Sequence, residues 1–193
     1  MTPYQISCWL WIAWYVFWVI SARRRLRTGK TQREPWLGRV GYLSLMVLGF
    51  VQIFGRAPQI LRIRFLPVGL VFGFAGLLIQ ATGLAFAIWA RQVLGKNWSG
   101  RIATSGAQKL ITSRGPYRFV RHPIYSGLLL AVFGTVFIVG ELRALLGSAL
   151  VICGVLLKLR REESALRNHF GPSYEEYAHR VPALVPFVKQ RFG

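Results

Sequence analysis

Five long apolar stretches, separated by polar segments, form the main pattern of the sequence. These stretches cover approximately residues 4–22, 37–54, 65–90, 124–140 and 142–159. A helix needs about 20 mostly apolar residues to cross a bilayer, with a range of roughly 17 to 25. The pattern therefore predicts an all-α integral membrane protein with five transmembrane helices, of which the last two form a tight helical hairpin.

The positive charges predict how these helices are oriented. Lysine and arginine number 25 against 6 acidic residues, which gives a formal net charge of +19. Most of these cations fall within residues 23–39, 91–121 and 158–191, whereas the other two connections carry only four arginines. Because cytoplasmic loops are enriched in lysine and arginine, we expect the N-terminus outside and the C-terminus in the cytoplasm. The expected location is the inner membrane of a prokaryote.

Composition decides which partners the charge attracts. A net charge of +19 alone would suggest a nucleic-acid-binding protein. However, 53% of the residues are hydrophobic and the mean hydropathy is +0.40. A soluble chain of this length cannot bury so much apolar surface. We therefore expect membrane lipids and a lipophilic substrate as partners, and no nucleic acid.

The missing residue types exclude several kinds of chemistry. All six acidic residues are glutamates, so Ser-His-Asp triads, aspartic dyads and EF-hand loops are excluded. Cys8 and Cys153 lie inside apolar stretches without a CxxC spacing, and His169 and His179 do not have the spacing of metal ligands. We therefore expect no metal site.

Candidate chemistry first appears where the segment 91–123 meets the fourth apolar stretch. Pro123 suits the first turn of a helix, where its missing N–H costs nothing, so His122 is predicted at the N-terminal edge of that helix. Taken alone, Arg118 and Arg121 would be read as anchors for lipid phosphates. The concentration of Gly, Tyr, Arg, His and Pro residues within a dozen positions favours a functional site instead.

A second candidate region begins at Glu162 and Glu163, at the predicted cytoplasmic end of the fifth helix. Ionisable residues at a membrane edge are functional candidates by default. The alternative for Glu163 is a surface ion pair with Arg167, four residues further along the helix. Beyond it, a Gly-Pro pair predicts the end of the helix and then a short helix with Tyr174 and Tyr177 on one face.

The third apolar stretch carries small residues at helical spacing, which predicts close packing against a neighbouring helix. Gln80 and Thr82 lie within this stretch. The favoured interpretation is that they form hydrogen bonds between helices, and the alternative is that they contact a ligand.

These motifs resemble the isoprenylcysteine carboxyl methyltransferase family and share features with the related phospholipid N-methyltransferases. The resemblance covers residues 94–186. The residues that carry it are Gly115-Pro116-Tyr117, Arg121-His122-Pro123-Ile124-Tyr125, Glu162-Glu163, Phe170-Gly171, Tyr174, Tyr177, Pro182 and Pro186.

The resemblance implies a single membrane methyltransferase domain over residues 1–193, with cytoplasmic catalytic segments at 91–123 and 160–193. Its cofactor would be S-adenosylmethionine, and its reaction the carboxyl O-methylation of an isoprenylcysteine-like group. The implied cofactor-binding residues are Lys109, Leu110, Ile111, Thr112, Tyr117, His122, Pro123, Ile124, Tyr125, Glu162 and Glu163.

The implied catalytic residues are cations that orient an anionic substrate head group: Lys158, Arg160 and Arg161. Lys158 stands where eukaryotic members of the family resemble each other in having a substrate-binding arginine. Lysine supplies charge without the bidentate fork of arginine, so the two following arginines are alternative partners for the substrate.

Several other functions stay open. A phospholipid amine or a small thiol is an alternative methyl acceptor. An NADPH-dependent sterol-type reductase is a second enzyme class, because such enzymes carry a similar Arg-x-x-Arg-His-Pro element. A lipid-binding membrane protein without catalytic activity is the third possibility.

Overall fold

The computed structural model describes residues 1–23, 36–95 and 114–188. Within these ranges, apolar sequence stretches form long helices, and two single 3-10 turns occur at Gln59–Arg62 and Gly115–Arg118. The α-helices in the described ranges are α1 (Pro3–Arg23), α2 (Trp36–Phe54), α3 (Leu70–Leu94), α4 (Pro123–Val139), α5 (Leu142–Phe170) and α6 (Pro172–Arg180).

Three of these helices are long and apolar enough to cross a membrane, namely α2, α3 and α5, and α4 is a shorter apolar helix of 17 residues. The predicted all-helical membrane architecture is confirmed at this level. Five crossings and the orientation of the termini stay predictions. The helices differ from the approximate apolar spans at two ends: α3 begins at Leu70 rather than near residue 65, and α5 continues for eleven residues beyond 159.

The predicted turn between α4 and α5 and the predicted helix stop at Gly171 are confirmed. Gly140 adopts a left-handed conformation (φ 62°) that ends α4, and α5 starts two residues later. At its other end, α5 stops at Gly171, which again has a positive φ of 53°. Glycine adopts such angles without the steric cost of a Cβ atom. The chain therefore turns sharply at both ends of α5.

Although α4 and α5 are joined by a short turn, their main packing partners are different helices. α4 packs along α3, and α5 packs along α2. Glycines spaced seven residues apart on α4 and on α5, with facing glycines on α3 and α2, permit both contacts. A Cβ atom on Gly83 would lie 2.5 Å from the carbonyl oxygen of Gly127, and one on Gly49 would lie 2.5 Å from that of Gly147. Small residues at these crossings bring the backbones into direct contact.

Polar side chains attach α1 to the packed helices α3 and α4. Gln80 is fully buried and donates from Nε2 to the carbonyl oxygen of Ser7 (3.2 Å), which confirms its predicted interhelical role. Trp11 donates from Nε1 to Thr135 Oγ1 (3.0 Å). Thr82 does not bridge helices as predicted, because its hydroxyl donates to the carbonyl of Leu78 within α3 (2.8 Å). Such bonding to the preceding turn is a common alternative for threonine.

Arg91 joins the ends of α1 and α3. Its guanidinium donates from Nη1 to the Gly95 carbonyl (2.7 Å) and from Nη2 to the Ser21 carbonyl (2.9 Å), and the side chain is buried. Carbonyls in the last turn of a helix lack intrahelical partners and carry partial negative charge. This cation therefore stabilises two helix termini in addition to any contribution to membrane orientation.

The close approach of α3 and α4 is testable by adding a single methyl group. We expect Gly83→Ala to destabilise the protein by about 1–3 kcal/mol, because the new Cβ atom would meet backbone atoms that cannot move independently. Gly41→Ala on α2 is the matched control, since a Cβ atom there has nothing within 4 Å. Thermal unfolding in detergent measures both variants, and equal stability of the two would contradict the packing described.

Candidate functional site

The candidate site lies where the N-terminus of α4 meets the polar end of α5. His122 is the residue before α4 and Pro123 is its first residue, as predicted. After Arg143 in its first turn, α5 carries no charged residue until Lys158, near the end of its predicted apolar stretch at residue 159. α6 and the segment after it pack against the same region, so residues distant in sequence meet there.

Glu163 forms the centre of a buried polar cluster. Its side chain is fully buried, and its carboxylate accepts hydrogen bonds from four side chains. Arg121 binds it in a bidentate manner, with Nε 2.9 Å from Oε1 and Nη2 3.0 Å from Oε2. The other donors are His122 Nε2 (2.7 Å), Tyr174 OH (2.7 Å) and Arg167 Nη2 (3.2 Å).

The structure corrects two interpretations of this cluster. Glu163 does pair with Arg167, but the carboxylate lies in the interior rather than in a surface network. Arg121 is also buried, with 2% of its side chain exposed, so it is not a lipid anchor. Because an ionised carboxylate can only accept hydrogen bonds, His122 presents a protonated Nε2 to Glu163.

Burial and hydrogen bonding act in opposite directions on Glu163. Removal from water raises the pKa of a carboxyl group, whereas the His122 and Arg121 donors lower it, and the net result is a pKa lowered from 4.5 to about 2. A lowered native pKa stabilises the folded state above the unfolded value near 4.5. That contribution is lost as the pH falls towards about 2.

Arg121 also fastens the segment that follows α6. Its Nη1 donates to the carbonyl oxygens of Ala178 in the last turn of α6 (2.9 Å) and of Val181 just after it (2.6 Å). The backbone continues the attachment, with N–H groups of residues 121 and 122 donating to the carbonyls of residues 182 and 183 at 2.8 and 3.0 Å. Ser126 Oγ then donates to the Leu184 carbonyl (2.6 Å). The segment is thus held across the start of α4.

Tyr174 and Tyr177 share a buried face of α6, as predicted, with ring centroids 6.1 Å apart. Burial is the largest cause that raises the pKa of both hydroxyls, so both stay protonated and act as donors. Tyr177 donates to the backbone carbonyl of Tyr117 (2.7 Å). The predicted cofactor contact Tyr117 is itself buried, and its hydroxyl lies 3.5 Å from the Ala90 carbonyl on α3.

A second polar group lies beside this cluster and is less buried. Tyr125 on α4 donates from its hydroxyl to Glu162 Oε2 on α5 (2.8 Å). Lys158, one helical turn before Glu162, holds its ammonium 5.7 Å from the centroid of the Tyr125 ring. The same ammonium lies 5.5 Å from the ring of Tyr42 on α2. The ammonium of Lys158 and the carboxylate of Glu162 are therefore neighbours on one face of α5.

The structure brings together only part of the predicted site. Ile124 packs against the Ala90–Tyr117 cluster. Of the predicted catalytic cations, Lys158 lies in the polar group just described. Arg160 is exposed, and the Arg161 guanidinium lies directly against Gly38 of α2. The remaining predicted cofactor contacts lie outside the described residues: Lys109, Leu110, Ile111 and Thr112.

Two residues of the site were missed as such by the sequence analysis. Arg121 was included in the motif that carries the family resemblance, but it was not assigned a role or a pairing with Glu163, although the scarcity of acidic residues makes an arginine–glutamate pairing informative. Nothing in the sequence singles out Tyr42, which is one aromatic residue within an apolar helix.

Across the three described stretches, no group of three or more histidine, cysteine or acidic residues is arranged to hold a metal ion.

The central role of Glu163 can be tested against a surface pair. We expect Glu163→Gln to destabilise the protein by about 3–5 kcal/mol, because it leaves the buried Arg121 charge without its counterion. Glu176→Gln is the matched control, since Glu176 pairs with Arg180 at 3.1 Å with about 70% of each side chain exposed, and should cost at most about 1 kcal/mol. Denaturant titration in detergent measures both, and equally small effects would contradict the role of the cluster.

Known proteins are similar to a part of the chain that includes most of this site. The sequence pattern of the phospholipid methyltransferase family matches residues 71–173. The chain is 41% identical over 81 residues to protein-S-isoprenylcysteine O-methyltransferase B of Arabidopsis thaliana. The aligned residues cover 42% of this chain and 41% of that protein. It is 26% identical over 163 residues to protein-S-isoprenylcysteine O-methyltransferase of Schizosaccharomyces pombe, covering 79% of this chain and 67% of that protein.

A third relative carries a different activity in its name. The chain is 40% identical over 78 residues to methanethiol S-methyltransferase 2 of Bradyrhizobium diazoefficiens, covering 39% of this chain and 29% of that protein. The chain thus spans less than half the length of both the Arabidopsis and the Bradyrhizobium relatives. More than half of the chain nevertheless carries one family's pattern, so the chain belongs to the phospholipid methyltransferase family, and the predicted kinship with isoprenylcysteine carboxyl methyltransferases is confirmed.

Proposed function

We propose that this protein is a membrane methyltransferase that uses S-adenosylmethionine and methylates an anionic, lipophilic acceptor. The favoured acceptor is the carboxylate of an isoprenylcysteine-like group, in keeping with the names of the Arabidopsis and Schizosaccharomyces relatives. The observation that carries the proposal is the juxtaposition of the Tyr125–Glu162 hydrogen bond with the Lys158 ammonium.

The residues present fit the chemistry of this methyl donor. S-Adenosylmethionine carries hydroxyl groups and an ammonium group, for which a carboxylate is a suitable partner. Glu162 is half-buried and accepts one hydrogen bond from Tyr125. Because a carboxylate offers about four lone-pair sites, Glu162 retains capacity for such groups. We therefore assign Glu162 to the cofactor, with Tyr125 fixing the orientation of its carboxylate.

The bound donor supplies a methyl group on a positively charged sulfur. A carboxylate or thiolate acceptor is already a nucleophile, so the protein needs no general base. Its task is to hold the acceptor in line with the methyl group and to keep water out. The buried Glu163 cluster supports this task, because it fixes the start of α4 and the polar end of α5 relative to each other.

Lys158 determines which acceptors are favoured. Its ammonium attracts an anionic head group, whether a carboxylate or a thiolate, and repels a cationic amine. A small thiol is therefore the second candidate acceptor, supported by the similarity to methanethiol S-methyltransferase 2. A phospholipid amine is less favoured, since its protonated form would meet like charge at this point.

The membrane provides the route by which substrate and cofactor meet. A site at the charged end of α5 lies next to the apolar part of the same helix. A lipid tail can therefore remain in the bilayer while its head group reaches Lys158. We propose that this end faces the cytoplasm, in agreement with the distribution of cations in the sequence.

Binding of the cofactor tests the proposal directly. We expect the detergent-purified protein to bind S-adenosylmethionine or its demethylated product in a calorimetric titration, and Glu162→Ala to abolish that binding. Glu175→Ala on the exposed face of α6 is the matched control and should bind as the wild type does. Unfolding temperatures of both variants establish that any loss of binding does not reflect a loss of folding.

The alternatives give different outcomes in the same experiment. Binding of NADPH without binding of either methyl-donor compound would favour a reductase and contradict the proposal. Binding of lipid alone would favour a protein without catalytic activity. If the cofactor binds, transfer of a labelled methyl group to prenylcysteine analogues, small thiols and phosphatidylethanolamine separates the acceptors, and we expect transfer to the anionic ones.

A further inference from the structure

Tyr42 of α2 lies against the ammonium of Lys158, a predicted catalytic residue, although no sequence motif includes Tyr42. We propose that Tyr42 is a positioning residue that, together with Tyr125, holds the Lys158 ammonium where the anionic acceptor binds. This inference rests on the proposed function and adds α2 to the elements that determine acceptor specificity.

The two aromatic rings lie close enough to attract the ammonium. The Lys158 Nζ atom is 5.5 Å from the centroid of Tyr42 and 5.7 Å from that of Tyr125. A cation within about 6 Å of a ring centroid is attracted by the negative face of the ring. The lysine is thus held by one ring from α2 and one from α4, while it belongs to α5.

The position of Tyr42 is set by tight packing of the backbone. Only 2% of the residue is exposed. A Cβ atom on Gly154 of α5 would lie 2.8 Å from the Tyr42 carbonyl oxygen, so the two helices approach as closely as their backbones permit. Since Gly154 lies one turn before Lys158, this contact fixes the distance between the Tyr42 ring and the lysine.

Holding the ammonium matters because lysine is otherwise a poor directional ligand. Its side chain has four flexible methylene groups and, at a membrane edge, extends towards water. An arginine would orient a carboxylate through its planar fork. Here the rings restrict the lysine instead, and Tyr125 couples it to Glu162, since its ring contacts Lys158 and its hydroxyl binds that carboxylate. A restricted cation binds its anion with less loss of conformational freedom.

Two substitutions at Tyr42 separate the ring from the hydroxyl. We expect Tyr42→Leu to raise the KM for the anionic acceptor about three- to tenfold, with kcat and the cofactor Kd little changed. Tyr42→Phe keeps the ring and should behave as the wild type does. Phe50→Leu on the same helix is the matched control, because Phe50 packs on Trp11 away from Lys158, and it should alter stability without altering this KM.

A measurement independent of turnover tests the geometry itself. In a protein with isotope-labelled lysine, ring currents from the two tyrosines should displace the Lys158 methylene resonances in the NMR spectrum. Tyr42→Leu should remove a large part of that displacement and Tyr42→Phe should retain it. The absence of such a displacement in the wild type would overturn the inference.

Failure of this inference differs from failure of the proposed function. Methyl transfer by the wild type, with an unchanged acceptor KM in Tyr42→Leu, would overturn the role of Tyr42 alone. No transfer by the wild type to any acceptor, without cofactor binding, would overturn the proposed function and this role with it.

Discussion

The buried ion pair between Glu163 and Arg121 is the interaction on which the site depends. Removing two charges from water is costly, and such a pair is tolerated only when further hydrogen bonds satisfy both groups. Here the carboxylate also accepts from His122, Arg167 and Tyr174. The guanidinium also donates to the backbone carbonyls of Ala178, in the last turn of α6, and of Val181, just after it. Together these bonds link α5 to the start of α4, to α6 and to the segment after α6, so satisfying the charges brings these elements together.

This cluster has a direct consequence for the neighbouring residue. Glu162 and Glu163 are adjacent on α5, so their side chains point in directions about 100° apart. With Glu163 fixed in the buried cluster, Glu162 is turned to meet the Tyr125 hydroxyl, and Lys158 follows one turn earlier. Glu163 therefore stabilises the structure, and Glu162 is the glutamate that we propose for binding. The division explains how a chain with only six acidic residues uses two of them side by side.

Short-range sequence signals predicted the features of this structure that depend only on residues close together in the chain. Apolar length predicted the helices, Gly171 predicted the end of α5, and Pro123 predicted the start of α4. The burial of Glu163 was not predictable in this way, because its spacing from Arg167 is equally typical of an exposed helical pair. The contact of Tyr42 with Lys158 depends on which helices pack together, and the short turn between α4 and α5 did not indicate that α4 packs mainly along α3.

The most direct test of the organising role of the ion pair is a double-mutant cycle on Arg121 and Glu163. Each single replacement by methionine leaves one buried charge unpaired, whereas the double replacement removes both charges together. We expect the double variant to be destabilised by clearly less than the sum of the single variants, with a coupling free energy of about 1–3 kcal/mol. Additive costs would contradict the view that this pair holds the site together.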